Sequence, residues 1–161
     1  MKALLLFLAS SFLFTQIHAQ ETTRGEKIQE WIELLASDKK EQVDGALEAL
    51  SKNQQEAFPA LLKALGNANK LIRSRCLQVL SSSVNQEVVS ALIERAGEED
   101  DVYVLRQMLA IFGKEKARQA IPRVVSLLEH SDEHLQADAI WTLRSEERSV
   151  GKECRSRWSR Y

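Results

Sequence analysis

The sequence predicts an all-α fold, an α-solenoid of about four antiparallel helix pairs. Three observations lead there. The stretch from Pro59 to Leu80 aligns without a gap on the stretch from Pro122 to Leu143, at an offset of 63 residues. That offset is too long for one small helical hairpin and right for two, and internal self-similarity at a fixed period marks a repeat architecture. Apolar residues recur at spacings of three and four throughout, which places them on one face of a helix. Between the apolar runs stand short clusters of Gly, Asn, Asp and Ser, the residues of turns and helix caps.

Ahead of the repeats, Met1 and Lys2 give a short positive start, Ala3 to Phe14 is almost unbroken apolar sequence, and Ala19 ends the segment on a small residue. Residues 1–19 therefore read as a signal peptide, and the run is shorter than the roughly 20 apolar residues a membrane span needs. A secreted or periplasmic location follows as an expectation, with no membrane attachment after cleavage. Residues 20–25 are polar and expected to be flexible.

The first pair, about 26–52, carries Ile28, Trp31, Ile32 and Leu35, then Val43, Ala46, Leu47 and Leu50. Asp38 marks its turn. A polar link from Ser51 to Gln55 leads to the second pair, about 55–82. Pro59 is expected in the opening turn of its first helix, where a missing N–H costs nothing. Leu61, Leu62 and Leu65 form the stripe, Gly66 to Asn69 the turn, with Asn69 as cap and the Gly and Asn residues suited to left-handed backbone. Ile72, Cys76, Leu77 and Leu80 are the buried face of the second helix.

The third pair, about 85–113, has Val88, Val89, Leu92 and Ile93, an acidic turn from Gly97 to Asp101, and Val104, Met108, Leu109, Ile111 and Phe112, with Gly113 as the expected C-cap. The acidic turn lacks the ligand spacing of a calcium loop and suits a helix N-terminus, whose dipole favours acids. The fourth pair, about 117–143, repeats the second with Pro122, Val124, Val125 and Leu128, then Leu135, Ala139, Ile140 and Leu143. The last stripe residues of the four first helices, Leu35, Leu65, Ala96 and Leu128, stand 30, 31 and 32 residues apart.

Pro59, the turn residue Asn69, Ile72-Arg73, Cys76 and Leu80 together resemble the pattern of HEAT repeats, including the HEAT-like repeats of phycobilin lyases. The resemblance covers roughly residues 26–143. It implies stacked helix pairs whose second helices line a concave surface, and an Arg that bonds the turn of a neighbouring repeat. Pair one departs from it with Gln42 in place of an aliphatic residue, and pair four with Gln136 in place of the Arg.

Residues 144–161 resemble the conceptual translation of a widely used sequencing-library adapter, from which they differ at Ser149 and Arg160. This tail is expected to be non-native, and Val125, Ile140 and Leu143 to be side chains made to face a further helix pair.

Residues 20–143 hold 15 basic and 20 acidic residues, a net charge of −5. That balance argues against nucleic acid as partner, because phosphate backbones are bound by clustered Lys and Arg. No structural disulfide is expected: Cys76 sits where the fourth pair has Ala139, a place for a small buried group, and Cys154 falls in the tail. His130 and His134, with Asp132 and Glu133, look like metal ligands, but the alignment places them on a turn. Helical deoxyhypusine hydroxylases share the HEAT architecture and use His-Glu pairs in several repeats; here the order is Glu-His, once. No cofactor and no metal are expected, and no nucleophile elbow or phosphate loop is present.

Trp31 and Trp141 fall on or beside apolar stripes and are expected in the core. Arg75 and Arg106, on second helices, are the candidates for contacts to a protein partner. Pro59, Asn69, Arg73, Cys76, Leu80, Pro122 and Leu143 are read as parts of the repeat. The function this implies is a scaffold that binds another protein, or another domain of its own chain; the alternative is an accessory module of a larger enzyme or electron-transfer protein.

Overall fold

The structure is a computed structural model that describes residues 24–158, with side chains through Ser145. The expected signal peptide lies outside the described residues. Those residues are helical, with no strand among them. The chain divides into two compact units, one through Ala60 and one from Leu61.

In the N-terminal unit, α1 (residues 24–34) buries Ile28 and Ile32 and leaves Trp31 half-buried. Arg24 and Gly25, in the stretch expected to be flexible, already belong to it, and Arg24 pairs with Glu56. After the turn, α2 (Lys40–Lys52) buries Val43, Ala46 and Leu50. Gln42 is exposed and accepts a 2.6 Å hydrogen bond from the Ser37 hydroxyl, which explains a polar residue at this position.

The junction that follows is tighter than the expected link from Ser51 to Gln55. α2 ends at Lys52 and α3 (Gln54–Ala64) begins at Gln54, with Asn53 alone between them. Asn53 can close one helix and open the next because its own N–H reaches Ala49 O while its carbonyl accepts from Glu56 and Ala57. Pro59 is thereby moved from the opening turn, where it was expected, to the interior of α3.

The C-terminal unit holds α4 (Lys70–Leu80), α5 (Gln86–Ala96), α6 (Val102–Glu115), α7 (Ile121–Ser126) and α8 (Glu133–Trp158). Its core comprises Leu61 and Leu65 with Ile72, Cys76, Leu77 and Leu80, then Val88, Leu92, Val104, Met108, Leu109 and Phe112, then Val124, Leu127, Leu135 and Ala139. α4 packs on α6, α6 on α8, and α7 on α8. α7 is short because 3-10 turns, Arg118–Ala120 and Leu127–Glu129, flank it. The tighter winding turns Leu127 inward and leaves Leu128, expected on the stripe, half-buried. Pro122 opens α7 as expected, and α8 continues through residues 144–158.

Each second helix is entered by one repeated turn. The residue two before the helix cap accepts the cap's own N–H: Ser37 Oγ from Lys39 (3.1 Å), Asn67 Oδ1 from Asn69 (2.8 Å), Glu99 Oε1 from Asp101 (3.0 Å) and His130 Nδ1 from Asp132 (3.0 Å). In three of the four the cap side chain then takes N–H groups of the first helical turn: Asn69 that of Leu71, Asp101 those of Tyr103 and Val104, Asp132 that of Leu135. Lys39 makes no such bond. The repeat seen in the sequence is therefore a repeat of hydrogen bonding.

Three further expectations are corrected. Gly113 is not a C-cap: α6 runs on to Glu115 and ends at Lys116, whose φ of 51° is the left-handed conformation. A Cβ on Gly113 would meet Ser145 Oγ at 3.5 Å and Thr142 Cγ2 at 3.7 Å, ordinary contact distances, so the packing of α6 on α8 does not itself require glycine there. No described glycine, Gly66 included, has positive φ. Trp141 is not in the core but 67% exposed. Trp141 stands next to Thr142 on α8, and it is Thr142 that faces α6.

Candidate functional surface on α4, α6 and α8

The polar and reactive side chains singled out in the sequence are occupied with structure. Arg73, only 6% exposed, sends Nε and Nη2 to the two carboxylate oxygens of Glu99 at 2.8 and 2.6 Å, and Glu99 is 5% exposed. Its Nη1 holds the carbonyls of Asn67 and Ala68, at 2.8 and 3.0 Å. The hydrogen bond to Glu99 raises the Arg73 pKa further above its ordinary value, outweighing the opposite effect of burial. Two parallel N–H···O bonds of this kind are the strong form of an ion pair. Glu99 is the residue that sequence reasoning missed: it was read only as one acid of a turn suited to a helix N-terminus. The available signal was that a guanidinium on the buried side of α4 needs an acceptor, and the next turn supplies carboxylates.

Gln136, at the place of Arg73 in the fourth pair, donates Nε2 to His130 O, the equivalent of the Arg73 bond to Asn67 O. The departure from the repeat pattern thus keeps the bond within the turn. His130 Nδ1 is taken by the Asp132 N–H, and His134 is exposed on the first turn of α8. Among the described residues no group of three His, Cys, Asp or Glu side chains is placed to hold a metal ion.

Cys76 is fully buried, and loss of hydration pushes its thiol up to about 12. Because only a thiolate is a useful nucleophile, Cys76 is inert while the chain is folded. A maleimide or disulfide reagent at neutral pH is expected to leave Cys76 unmodified in buffer and to modify it in denaturant, read by mass spectrometry of the peptide that contains it.

The hydroxyls of Ser81, Ser82, Ser90, Ser126 and Ser145 donate to carbonyls one turn back on their own helices rather than to a base. The described residues assemble no nucleophile with a base, and no catalytic constellation is present among them.

Asp101 joins two elements. It caps α6 and accepts from Lys70 Nζ on α4 at 3.0 Å. Burial works to raise its pKa, but the bonds from Lys70, Val104 and Tyr103 outweigh that and hold it below the ordinary carboxylate value. A carboxylate with a depressed folded pKa adds stability above its unfolded pKa and loses it as pH falls through the folded one. In Asp101→Asn that part of the acid sensitivity is expected to be gone: stability near neutrality drops, and the gap from the unchanged chain narrows as pH falls through the carboxylate range. Urea titrations at stepped pH check it.

What remains open is a surface. Along one side of α6, a groove of about 420 Å³ runs between α4 and α6, lined by Leu77, Gln78, Ser81, Tyr103, Gln107 and Ile111. A second, of about 380 Å³, runs between α6 and α8, lined by Arg106, Ala110, Gly113, Asp138, Trp141 and Thr142. Ala110 and Lys114 border both grooves. Tyr103 and Trp141 are exposed beside them, and Gln107 Oε1 is buried without a partner. Lys114 Nζ donates to Ser81 O at 3.2 Å across the first groove.

Of the two arginines expected to meet a partner, Arg106 lies against Asp138 of α8 in a half-exposed ion pair, and Arg75 is half-buried on α4. No family model matches the chain, and no curated protein matches it. No helix among the described residues is long and apolar enough to cross a membrane.

Proposed function

We propose that the chain is an exported binding scaffold of HEAT-like helix pairs, stacked as a solenoid, that holds a segment of another protein along α4, α6 and α8. The observation that carries this reading is the pair of grooves on either side of α6, bordered by the exposed rings of Tyr103 and Trp141. Large rigid aromatics give much contact area for little lost side-chain entropy, and they dominate the energetics of interfaces. Neutral Gln78, exposed on α4, offers hydrogen bonds to a peptide backbone, and Lys114 supplies a cation at the junction of the grooves. The deficit of basic residues and the single ion-paired Arg106 favour a partner recognised by apolar and aromatic contact over a strongly acidic one.

Selection of peptides from a random displayed library against the full chain tests the reading. Tyr103→Ala and Trp141→Ala are each expected to weaken the selected peptides by roughly tenfold or more. Peptides that bind as tightly to a chain carrying Tyr103→Ala, Trp141→Ala and Ala110→Arg would place the binding surface elsewhere.

A further inference from the structure

The fourth helix pair presents a face that its counterpart in the second pair keeps covered. Leu77 of α4 is 1% exposed beneath α6, whereas Ile140, its equivalent on α8, is 58% exposed. Val125 of α7 is exposed too, and Leu143, the equivalent of the fully buried Leu80, is half-buried. Ile140 and Leu143, branched apolar groups at positions that are buried in the second pair, mark a docking face, and the exposed Val125 extends it beyond its half-buried equivalent Leu62.

The interface between the second and third pairs shows which positions meet across such a junction. The residue after the cap of one second helix meets the cap of the next, as Lys70 meets Asp101. The fourth residue after the cap meets the residue two before the next cap, as Arg73 meets Glu99. On α8 these two positions are Glu133 and Gln136. In the turn before α2 the receiving positions are Lys39, the cap, and Ser37. The cation–carboxylate pair is thus present with its signs exchanged, as Glu133 and Lys39, and the second ion pair is neutral on both sides, as Gln136 and Ser37. Both members change together at both positions, and opposed charges of this kind select partner and register.

The apolar positions agree. Gln107 and Ile111 of α6, which line the groove with Leu77, correspond to Gly45 and Ala49 of α2. Nothing lies within 4 Å of where a Cβ on Gly45 would stand. That leaves room for Ile140.

We infer that the chain associates with itself head to tail, the α7–α8 face of one copy seating on the α1–α2 pair of a second copy, with Glu133 against the second copy's Lys39. The interface joins two different surfaces, so it propagates into rings or filaments instead of closing at a dimer.

Sedimentation velocity of the full chain over a wide concentration range reads this directly. The weight-average mass is expected to rise past two copies. Glu133→Lys and Lys39→Glu, each made alone, are expected to weaken association roughly twofold to fivefold. An equimolar mixture of those two variants restores a matched junction, and one chain carrying both changes recovers the original affinity. Ile140→Asp, at an exposed site, is expected to weaken association roughly tenfold, with unchanged circular dichroism showing that the fold is kept. A chain that stays monomeric at every concentration overturns the inference. So does a mass that levels off at two copies, an Ile140→Asp chain that associates as before, or a doubly changed chain that fails to recover.

Discussion

Replacing Glu99 by Ala is expected to cost about 3 to 5 kcal/mol of folding stability, the amount lost when one partner of a buried ion pair is removed and the other is left uncompensated. The loss has two parts. The Arg73 guanidinium keeps its charge at any pH at which the chain is folded, so it cannot escape the interior by neutralising. The N–H groups of Asp100 and Asp101, which bond Glu99 Oε1 at 3.2 and 3.0 Å, lose their acceptor at the same time. Removing both charges tells the two parts apart. Arg73→Met with Glu99→Leu abolishes the unpaired charge and is expected to cost much less than the sum of the single changes, a coupling that a double-mutant cycle in urea measures. Glu99→Gln keeps an acceptor for the turn and should fall between. If Glu99→Ala shifted the urea midpoint by less than about 1 kcal/mol equivalent, the pair would be a solvated surface contact.

The ease with which different features could be read follows from their range. Asn69 as cap, Arg73 as a residue of the repeat and Cys76 as a small buried group were legible because each depends on neighbours within a turn or two of helix. The correspondence of Asn67 with His130 was legible in the alignment. What it did not disclose is that both side chains accept the same backbone N–H, since an amide oxygen and an imidazole nitrogen look unrelated as residue types.

Glu99 was hidden for a different reason. In a run of four acids, burial belongs to the one that a distant arginine reaches, 26 residues away in sequence. Trp141 misled because an aromatic beside an apolar stripe is usually covered, and whether it is covered depends on what packs against that side of α8. The left-handed cap at Lys116 misled because Gly113 offered the cheaper residue three positions earlier, yet α6 runs on past that glycine to Glu115. Of the candidate surface, the helices that build it could be read from the period. The grooves themselves could not, because they depend on how far α4, α6 and α8 stand apart.

Pro59 carries the other large effect, and its sign is opposite to that of a change at a packed position. As the sixth residue of α3 it should donate to the carbonyl of Gln55, and it has no N–H with which to do so. A proline in a helix interior costs about 3 kcal/mol relative to alanine. Its ring is exposed, so little packing holds it in place. Against that, proline restricts the unfolded chain, which offsets about 0.4 to 1 kcal/mol of the penalty. Pro59→Ala is therefore expected to raise stability by about 2 kcal/mol, seen as a higher urea midpoint with an unchanged dependence on denaturant. Alanine restores the missing donor and leaves the neighbours Phe58 and Ala60 in place. Pro59→Gly separates the two contributions: it also restores the N–H but gives up the helix propensity of alanine, so it should recover about 1 kcal/mol less. A lower midpoint for Pro59→Ala would mean that the pyrrolidine ring makes contacts whose loss outweighs the recovered hydrogen bond. The resemblance to a repeat pattern with proline in the first helix would then reflect packing.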